Sequence, residues 1–95
     1  MNAAQIQTLL SMLKVDLGIM STTAYDERLT QYLENAFSSI REEGASLDLT
    51  SVKDCQLVVM YAAWTWRRRD SGEGMPRMLR YALNNKIFSE KINNG

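Results

Sequence analysis

The segment Cys55–Trp66 limits how this chain can fold more than any other feature. A helix drawn through it has no polar face in its middle, and such a helix must be covered on every side. At 12 residues it is too short for a membrane span, which needs about 20. We therefore predict one all-α domain, residues 1–95, in which about four helices form a small bundle around a buried third helix, Val52–Arg69. The apolar residues of the segment are Cys55, Leu57, Val58, Val59, Met60, Tyr61, Ala62, Ala63, Trp64 and Trp66.

The first half of the chain predicts two helices. Apolar residues at i, i+3, i+4 and i+7 indicate a short first helix over Ala3–Leu13, followed by a partly buried loop, Lys14–Thr23. Thr23 and Asp26 resemble a capping box at the start of helix two, and Gly44 supplies its end. The predicted buried stripe of helix two is Tyr25, Leu29, Tyr32, Leu33, Ala36, Phe37 and Ile40, and its predicted polar face is Arg28, Gln31, Glu34, Asn35, Ser38 and Arg41.

The second half predicts helix three, a fourth helix and a tail. Thr50 or Ser51 opens helix three, and Pro76 suits the first turn of helix four because its missing N–H would be unpaired there. Asn84-Asn85 is predicted to end helix four. Ile87–Ile92 is predicted to form a short extended or helical C-terminal tail that needs a surface to dock on. The predicted apolar stripe of helix four is Met78, Leu79, Ala82 and Leu83.

The apolar central helix also suggests contact with other subunits. A domain of 95 residues has only about three other helices to cover it, so we expect part of helix three to stay exposed in the monomer and to be covered by other subunits. The alternative is that the domain wraps the helix completely. Trp64 and Trp66 fit an interface because Trp is enriched at binding hot spots, although both also suit a plain core.

Charge is divided unevenly along the chain, although the net charge is zero. Residues 1–50 carry 3 basic and 7 acidic side chains, a net of −4, and residues 51–95 carry 8 and 4, a net of +4. Either the halves face each other within one monomer and most charges are solvated, or the acidic face of one copy meets the basic face of the next. The second kind of contact is heterologous and produces a ring when its rotation closes.

The residue types argue against catalysis. Without His, and with Cys55 as the single cysteine, the chain has no Cys/His zinc site, no internal disulfide and no Ser-His or Cys-His catalysis. Cys55 is predicted to be an inert core thiol. Two acidic pairs, Asp26 with Glu27 and Glu42 with Glu43, diverge by about 100° on a helix and are predicted to be solvated helix-end charges. We predict a soluble intracellular protein that is not an enzyme and has no cofactor and no metal. MNAAQIQTLL also lacks the basic region of a signal peptide.

The arginine run Arg67-Arg68-Arg69, with Arg77 and Arg80 after it, is the one constellation with functional content. Arginine presents a planar fork that suits phosphates and carboxylates. Three consecutive arginines fan over about 200° of a helix, so at least one is expected to pair within the protein or with a neighbour. A structural or solvated helix end, contacts to a subunit or partner, and binding of DNA phosphates all stay open.

Two stretches of the second half carry a family resemblance. Leu57–Arg69 reads LVVMYAAWTWRRR, and Gly74–Lys91 reads GMPRMLRYALNNKIFSEK. They resemble the head-tail connector proteins of tailed bacteriophages and prophages. The N-terminal half is similar only in outline, with a short helix, a loop and a second helix running YLENAFSSI. The resemblance implies an all-helical adaptor that forms a ring, typically dodecameric, beneath the portal. Such a ring extends the DNA channel, helps retain packaged DNA and offers a docking surface to the next component.

The resemblance also implies partners, a location and site residues. The implied partners are further copies of the chain, the phage portal protein, the next connector or tail-completion protein, and duplex DNA that passes without specific binding; no membrane is involved. The implied location is the head–tail interface of the virion, with the host cytoplasm during assembly or as a prophage product. Candidates for oligomer or portal contacts are Tyr61, Trp64, Trp66, Arg67, Arg68, Arg69, Arg77, Arg80, Ile87 and Phe88. Channel-facing candidates are Glu34, Glu42 and Glu43.

Two alternatives belong to other classes of protein. One is a small DNA-binding or packaging accessory protein, such as a terminase-associated protein, that places the Arg67–Arg69 cluster on phosphates. The other is an unspecialised helical regulator that dimerises through helix three. Salt dependence separates the first from a connector, because phosphate binding weakens steeply as salt rises.

Overall fold

A computed structural model of the protein describes residues 1–94, with the side chains of residues 1–91. Within that range the chain forms four helices and no strand: α1 Ala3–Leu17, α2 Asp26–Glu42, α3 Val52–Ser71 and α4 Arg77–Asn94. α3 contacts each of the other three helices, and α1 also contacts α2. The predicted all-α bundle around a buried third helix is confirmed. None of the helices in the described part of the chain is long and apolar enough to cross a membrane.

α1 begins with a capping box that sequence reasoning missed. The Asn2 side chain accepts a hydrogen bond from the backbone N–H of Gln5 at 2.8 Å, and the Gln5 side chain accepts one from the N–H of Asn2 at 3.0 Å. The helix continues to Leu17, so the loop predicted from Lys14 onward is wrong for its first four residues. Gly18 is the residue that ends α1, because its φ of 72° is a left-handed conformation that glycine adopts without strain.

α2 begins without the predicted cap. Tyr25 stands at the N-cap position and makes no side-chain capping bond, and the N–H of Asp26 donates to the backbone carbonyl of Thr23 at 3.2 Å. The capping box of Thr23 and Asp26 is therefore wrong. The Asp26 carboxylate instead lies 2.9 Å from Nζ of Lys14 on α1, an approach outside hydrogen-bond geometry. This ion pair joins α1 to the start of α2.

α2 has the two faces that its periodicity predicted. Its predicted polar face is exposed throughout, and Leu29, Leu33, Ala36 and Ile40 are buried. Tyr32 and Phe37 are partly buried against the core. Tyr25 departs from the predicted stripe, since it is 43% exposed while its ring packs edge-on against Trp66.

α3 is covered more completely than we expected. Among its apolar residues from Cys55 to Trp66, only Met60 is exposed and only Tyr61 is half-buried. The part of α3 that stays exposed between Cys55 and Trp66 is therefore limited to these two side chains, and its cover by other subunits stays a prediction. The physical reason is that α1 and α4 are both longer than predicted, and each packs against α3.

α4 is one helix from Arg77 to Asn94, so the break predicted at Asn84-Asn85 is wrong. Both asparagines are exposed, where they cost the helix only a few tenths of a kcal/mol to about 0.7 kcal/mol each in propensity. The predicted tail is the helical continuation of α4, and the side chain of Ile92 lies outside the described residues.

Fewer apolar residues of α4 face the core than its sequence suggested. Leu79 and Leu83 are buried, and Ala82 and Ile87 are partly buried against the same core. Met78 was predicted to belong to this stripe, but it is exposed because it lies about 100° round the helix from Leu79.

Replacing Trp66 tests the core. Trp66 is 8% exposed, and the rings of Tyr25 and Tyr32 pack edge-on against it at 5.6 and 5.4 Å. We expect Trp66→Ala to lower the free energy of unfolding by about 3–5 kcal/mol, because it leaves a cavity. The exposed control Met78→Ala should change it by less than about 0.5 kcal/mol. Urea unfolding followed by circular dichroism measures both, and equal losses would contradict this core.

Candidate functional site

The two tryptophans proposed for an interface lie inside the monomer. Trp64 and Trp66 are each 8% exposed. The indole N–H of Trp64 donates to the backbone carbonyl of Glu73 at 3.3 Å, and Tyr61 packs edge-on against its ring at 5.4 Å. These contacts fix the end of α3 and the loop that follows it. A partner contact through either tryptophan stays a prediction.

Arg67 confirms that at least one of the consecutive arginines pairs within the protein. Its Nη2 lies 3.2 Å from the Asp16 carboxylate and 3.3 Å from the Asp16 backbone carbonyl. This contact joins the C-terminal part of α3 to the end of α1. Both side chains are about half exposed, so the pair is worth at most about 1 kcal/mol.

The other two arginines of the run lie on the buried tryptophans. The Arg68 guanidinium is 4.9 Å from the ring centroid of Trp64, and that of Arg69 is 3.8 Å from the ring centroid of Trp66. Arg69 also donates to the backbone carbonyl of Trp66. Because the three guanidiniums have three different partners, they do not converge on one phosphate-sized site.

Two of the acidic helix-end residues are ion-paired rather than simply solvated. Asp26 meets Lys14, and Glu43 Oε1 meets Arg80 Nη1 at 2.9 Å, which joins the end of α2 to α4. The prediction of solvated charges is wrong for these two, because cations from α1 and α4 reach them. It holds for the exposed Glu27 and Glu42. Of the channel-facing candidates, Glu34 and Glu42 are exposed, and Glu43 is held by α4.

A polar network around Lys86 is the most connected cluster in the described part of the chain, and sequence reasoning missed it. Asp54, 5% exposed, accepts from the N–H of Asp48 at 2.8 Å and from Nζ of Lys86 at 3.2 Å. Nζ of Lys86 also lies 3.3 Å from Glu90 Oε1. The Glu90 carboxylate accepts the N–H of Ser46 at 2.9 and 2.7 Å. This Lys86 network ties the loop between α2 and α3 to α4.

Ionisation in and beside this network follows from its geometry. Burial alone would lower the pKa of Lys86, but the hydrogen bond and charge of Asp54, and those of Glu90, outweigh burial and raise it. Burial raises the pKa of the Cys55 thiol, and the carboxylates of Asp54 and Asp48 raise it further. Since the thiolate is the reactive form, the thiol stays unreactive, in line with the predicted inert core cysteine.

The outer face of α4 carries three exposed large apolar side chains; Val15, Met20 and Val52 are exposed elsewhere among the described residues. We define this outer face as Met78, Tyr81, Asn85 and Phe88, at i, i+3, i+7 and i+10, with Arg77 and Lys91 at its ends. Its three apolar side chains are 72%, 56% and 64% exposed. Phe88 was among the predicted contact residues, whereas Ile87 packs on the core and Tyr81 was missed. The spacing of Tyr81 and Phe88 by seven residues was the signal for this stripe.

Two open grooves flank the exposed side of α3. A groove of about 480 Å³ between α1 and α3 is lined by Met12, Val15, Asp16, Gln56, Val59 and Met60. A second, of about 550 Å³, lies between α3 and α4 beside Lys53 and Asn85. Among the described residues, no group of three or more His, Cys, Asp or Glu is arranged to hold a metal ion.

Comparison with known proteins assigns no family, since no family model, curated protein or solved structure matches this chain. The resemblance to head-tail connectors therefore stays a prediction from the sequence. The surfaces of the chain itself provide the physical basis for a proposal.

The Lys86 network can be tested through its pH dependence. The folded state favours the protonated amine, so this contribution is fully present below the ordinary pKa of 10.5 and is lost as the pH rises through the raised value. We expect Lys86→Met to lower the free energy of unfolding by about 1–3 kcal/mol at neutral pH. The difference from wild type should shrink above pH 10.5.

The matched control is Lys53→Met, because Lys53 is exposed and makes no ion pair among the described side chains. It should change the free energy of unfolding by less than about 0.5 kcal/mol at any pH. Chemical unfolding across a pH series measures both variants. A Lys86→Met deficit that stays constant with pH would show that the loss is one of packing, not charge.

Proposed function

We propose that the protein is a structural head-tail connector subunit that assembles with copies of itself into a ring beneath a phage portal. In that role it extends the DNA channel, helps retain packaged DNA and offers a docking surface to the next connector or tail-completion protein. The protein works by assembly and has no catalytic residue and no cofactor. The observation that carries the proposal is the outer face of α4, an apolar surface that the closed monomer leaves uncovered.

The outer face of α4 supports a contact rather than a solvated helix. Tyr81 and Phe88 are large aromatic side chains that would bury well in a neighbour, and Met78 extends the same stripe by one turn. Contiguous exposed apolar surface of a few hundred Å² commonly marks an interaction site. The core itself needs no such contact, since Leu79 and Leu83 already attach α4 to the bundle.

The charge distribution supports association between copies. Only two of the six ion pairs among the described side chains join the acidic half to the basic half. The halves therefore do not neutralise each other inside one molecule. In the acidic half, four carboxylates and two arginines make no ion pair with the described side chains: Glu27, Glu34, Glu42 and Asp48, and Arg28 and Arg41. The basic half keeps Lys53, Arg68, Arg77 and Lys91, against Glu73.

A DNA-binding accessory role is the weaker candidate. Its supporting observation is that Arg68 and Arg77 are exposed and make no ion pair among the described side chains. Arg67 and Arg69, however, are committed to Asp16 and Trp66. Tight phosphate binding by the consecutive arginines would require these contacts to break.

Molecular mass as a function of concentration tests the connector proposal. We expect a monomer or weak associate in dilute solution, and closed rings in concentrated solution or with a portal protein. Light scattering measures the mass, and electron microscopy shows the shape of any large species. A strict dimer at every concentration would contradict the proposal.

Affinity for free DNA separates the two candidate functions. A connector subunit should bind free duplex DNA weakly at all salt concentrations, because the channel must let DNA slide. Fluorescence anisotropy with labelled duplex across a salt series measures this. Tight binding that falls steeply with salt, and that Arg68→Ser with Arg77→Ser abolishes, would favour the accessory role.

A further inference from the structure

The charges on α4 that lack an ion pair are all positive. Arg77 and Lys91 stand at the two ends of the outer face and make no ion pair within the described residues. The only carboxylate of the described side chains on α4, that of Glu90, is turned inward to Lys86 and Ser46. The outer face of α4 is thus an apolar stripe between two cations, and its complement is a surface that carries carboxylates.

The exposed side of α2 carries more carboxylates than cations. We define the outer face of α2 as Glu27, Gln31, Glu34, Ser38 and Glu42, which are all exposed. Its three carboxylates make no ion pair with the described side chains. The same helix surface also carries two exposed arginines without ion pairs among the described side chains. Arg28 lies beside Glu27, and Arg41 lies over the ring of Phe37, 5.6 Å from its centroid, so the surface keeps three carboxylates against two arginines.

The two outer faces match in length. Arg77 and Lys91 are 14 positions apart, and Glu27 and Glu42 are 15 positions apart, with Glu34 between them. At about 1.5 Å of rise per residue, these separations are about 21 and 22 Å. Two packed helices can therefore place a carboxylate near each cation at both ends of one contact.

The outer face of α2 also offers some apolar cover. At its N-terminal end, a shallow depression of about 380 Å³ is lined by Ala24, Tyr25, Glu27, Arg28 and Gln31. Further along, the half-buried Phe37 lies one turn from Glu34. An aromatic side chain of α4 can pack beside either ring while its neighbouring cation reaches a carboxylate.

Within one molecule these faces do not meet. Both helices turn their inner faces to the core around α3, so their outer faces point away from it. Their direct link is the ion pair of Arg80 with Glu43, at the end of α2. A second copy of the chain is the partner whose surface has the required charge, spacing and length.

We propose that the outer face of α4 in one copy docks on the outer face of α2 in the next copy. This inference rests on the proposed function, since it supplies the head-to-tail contact of the ring. The contact is heterologous because the two faces differ, so it can repeat around a closed ring. It places Glu34 and Glu42 in the subunit contact, whereas the connector resemblance had placed them on the channel wall.

Paired charge reversals test the contact. The α4 variant carries Arg77→Glu with Lys91→Glu, and the α2 variant carries Glu27→Lys with Glu42→Lys. All four positions are exposed and free of ion pairs with the described side chains, so both variants should keep the wild-type circular dichroism and melting temperature. Each variant alone should need at least about tenfold more protein to assemble than wild type, because like charges meet.

Mixing the variants provides the decisive measurement. In an equimolar mixture, the reversed α4 meets the reversed α2, and the unchanged α4 meets the unchanged α2, so every contact in an alternating ring is attractive. Light scattering should show assembly of the mixture at near wild-type concentrations. The control pair Lys53→Glu with Glu73→Lys reverses two exposed charges outside both faces, and it should assemble like wild type.

Each outcome separates this inference from the proposed function. If wild type assembles and both variants assemble equally well, the face assignment is overturned and the connector proposal stands. If the mixture does not assemble at near wild-type concentrations, the face assignment is also overturned and the connector proposal stands. The outer face of α4 would then bind a different protein, such as a portal. If wild type stays monomeric at every concentration, also with a portal protein, both are overturned.

Discussion

The apolar middle of α3 requires cover on all sides, and the rest of the molecule is arranged to provide it. α1 and α2 supply apolar stripes that end in Leu13 and Ile40, and α4 supplies Leu79 and Leu83. The resulting core covers the apolar residues of α3 from Cys55 to Trp66, except Met60 and part of Tyr61. Because each covering helix is amphipathic, its second face points outward, and the surface chemistry of the molecule is largely the chemistry of those outer faces.

The Lys86 network adds polar contacts with fixed partners to the packing of α4. Close packing of Leu79 and Leu83 turns one face of α4 to the core. A buried carboxylate is costly to leave unpaired, so Asp54 favours the one position of α4 that brings Lys86 within reach. One turn later, the Glu90 carboxylate accepts a hydrogen bond from the N–H of Ser46, which gives α4 a second contact with the loop between α2 and α3. The network therefore reinforces the inner face that Leu79 and Leu83 define, with Tyr81 and Phe88 on the opposite side of α4.

Local periodicity was enough to predict the four helices and both faces of α2, because neighbours at i+3 and i+4 are fixed by helix geometry. Periodicity gave the wrong helix end where a polar side chain pairs with another helix or faces solvent. Lys14 and Asn84 were interpreted as helix ends, but one meets Asp26 and the other faces water. The Lys86 network joins residues 32 and 44 positions apart, a separation that spacing does not encode. Tyr81 was missed because both sides of α4 carry apolar residues, and only the packed structure decides which side is inner.

The layout of charge also bears on the symmetry of any self-association. An isologous dimer through α4 would bring the same face of two copies together, with Arg77 and Lys91 of one copy near those of the other. Like charges at such a contact are repulsive, and no carboxylate of the outer face is present to relieve them. A dimer through α3 would have little apolar surface to bury, since Val52 and Met60 are the exposed large apolar side chains of this helix among the described residues. Although the net charge is zero, the positive and the negative side chains lie mainly on different faces. Contacts between a positive face and a negative face are therefore favoured, and such contacts can repeat from one copy to the next.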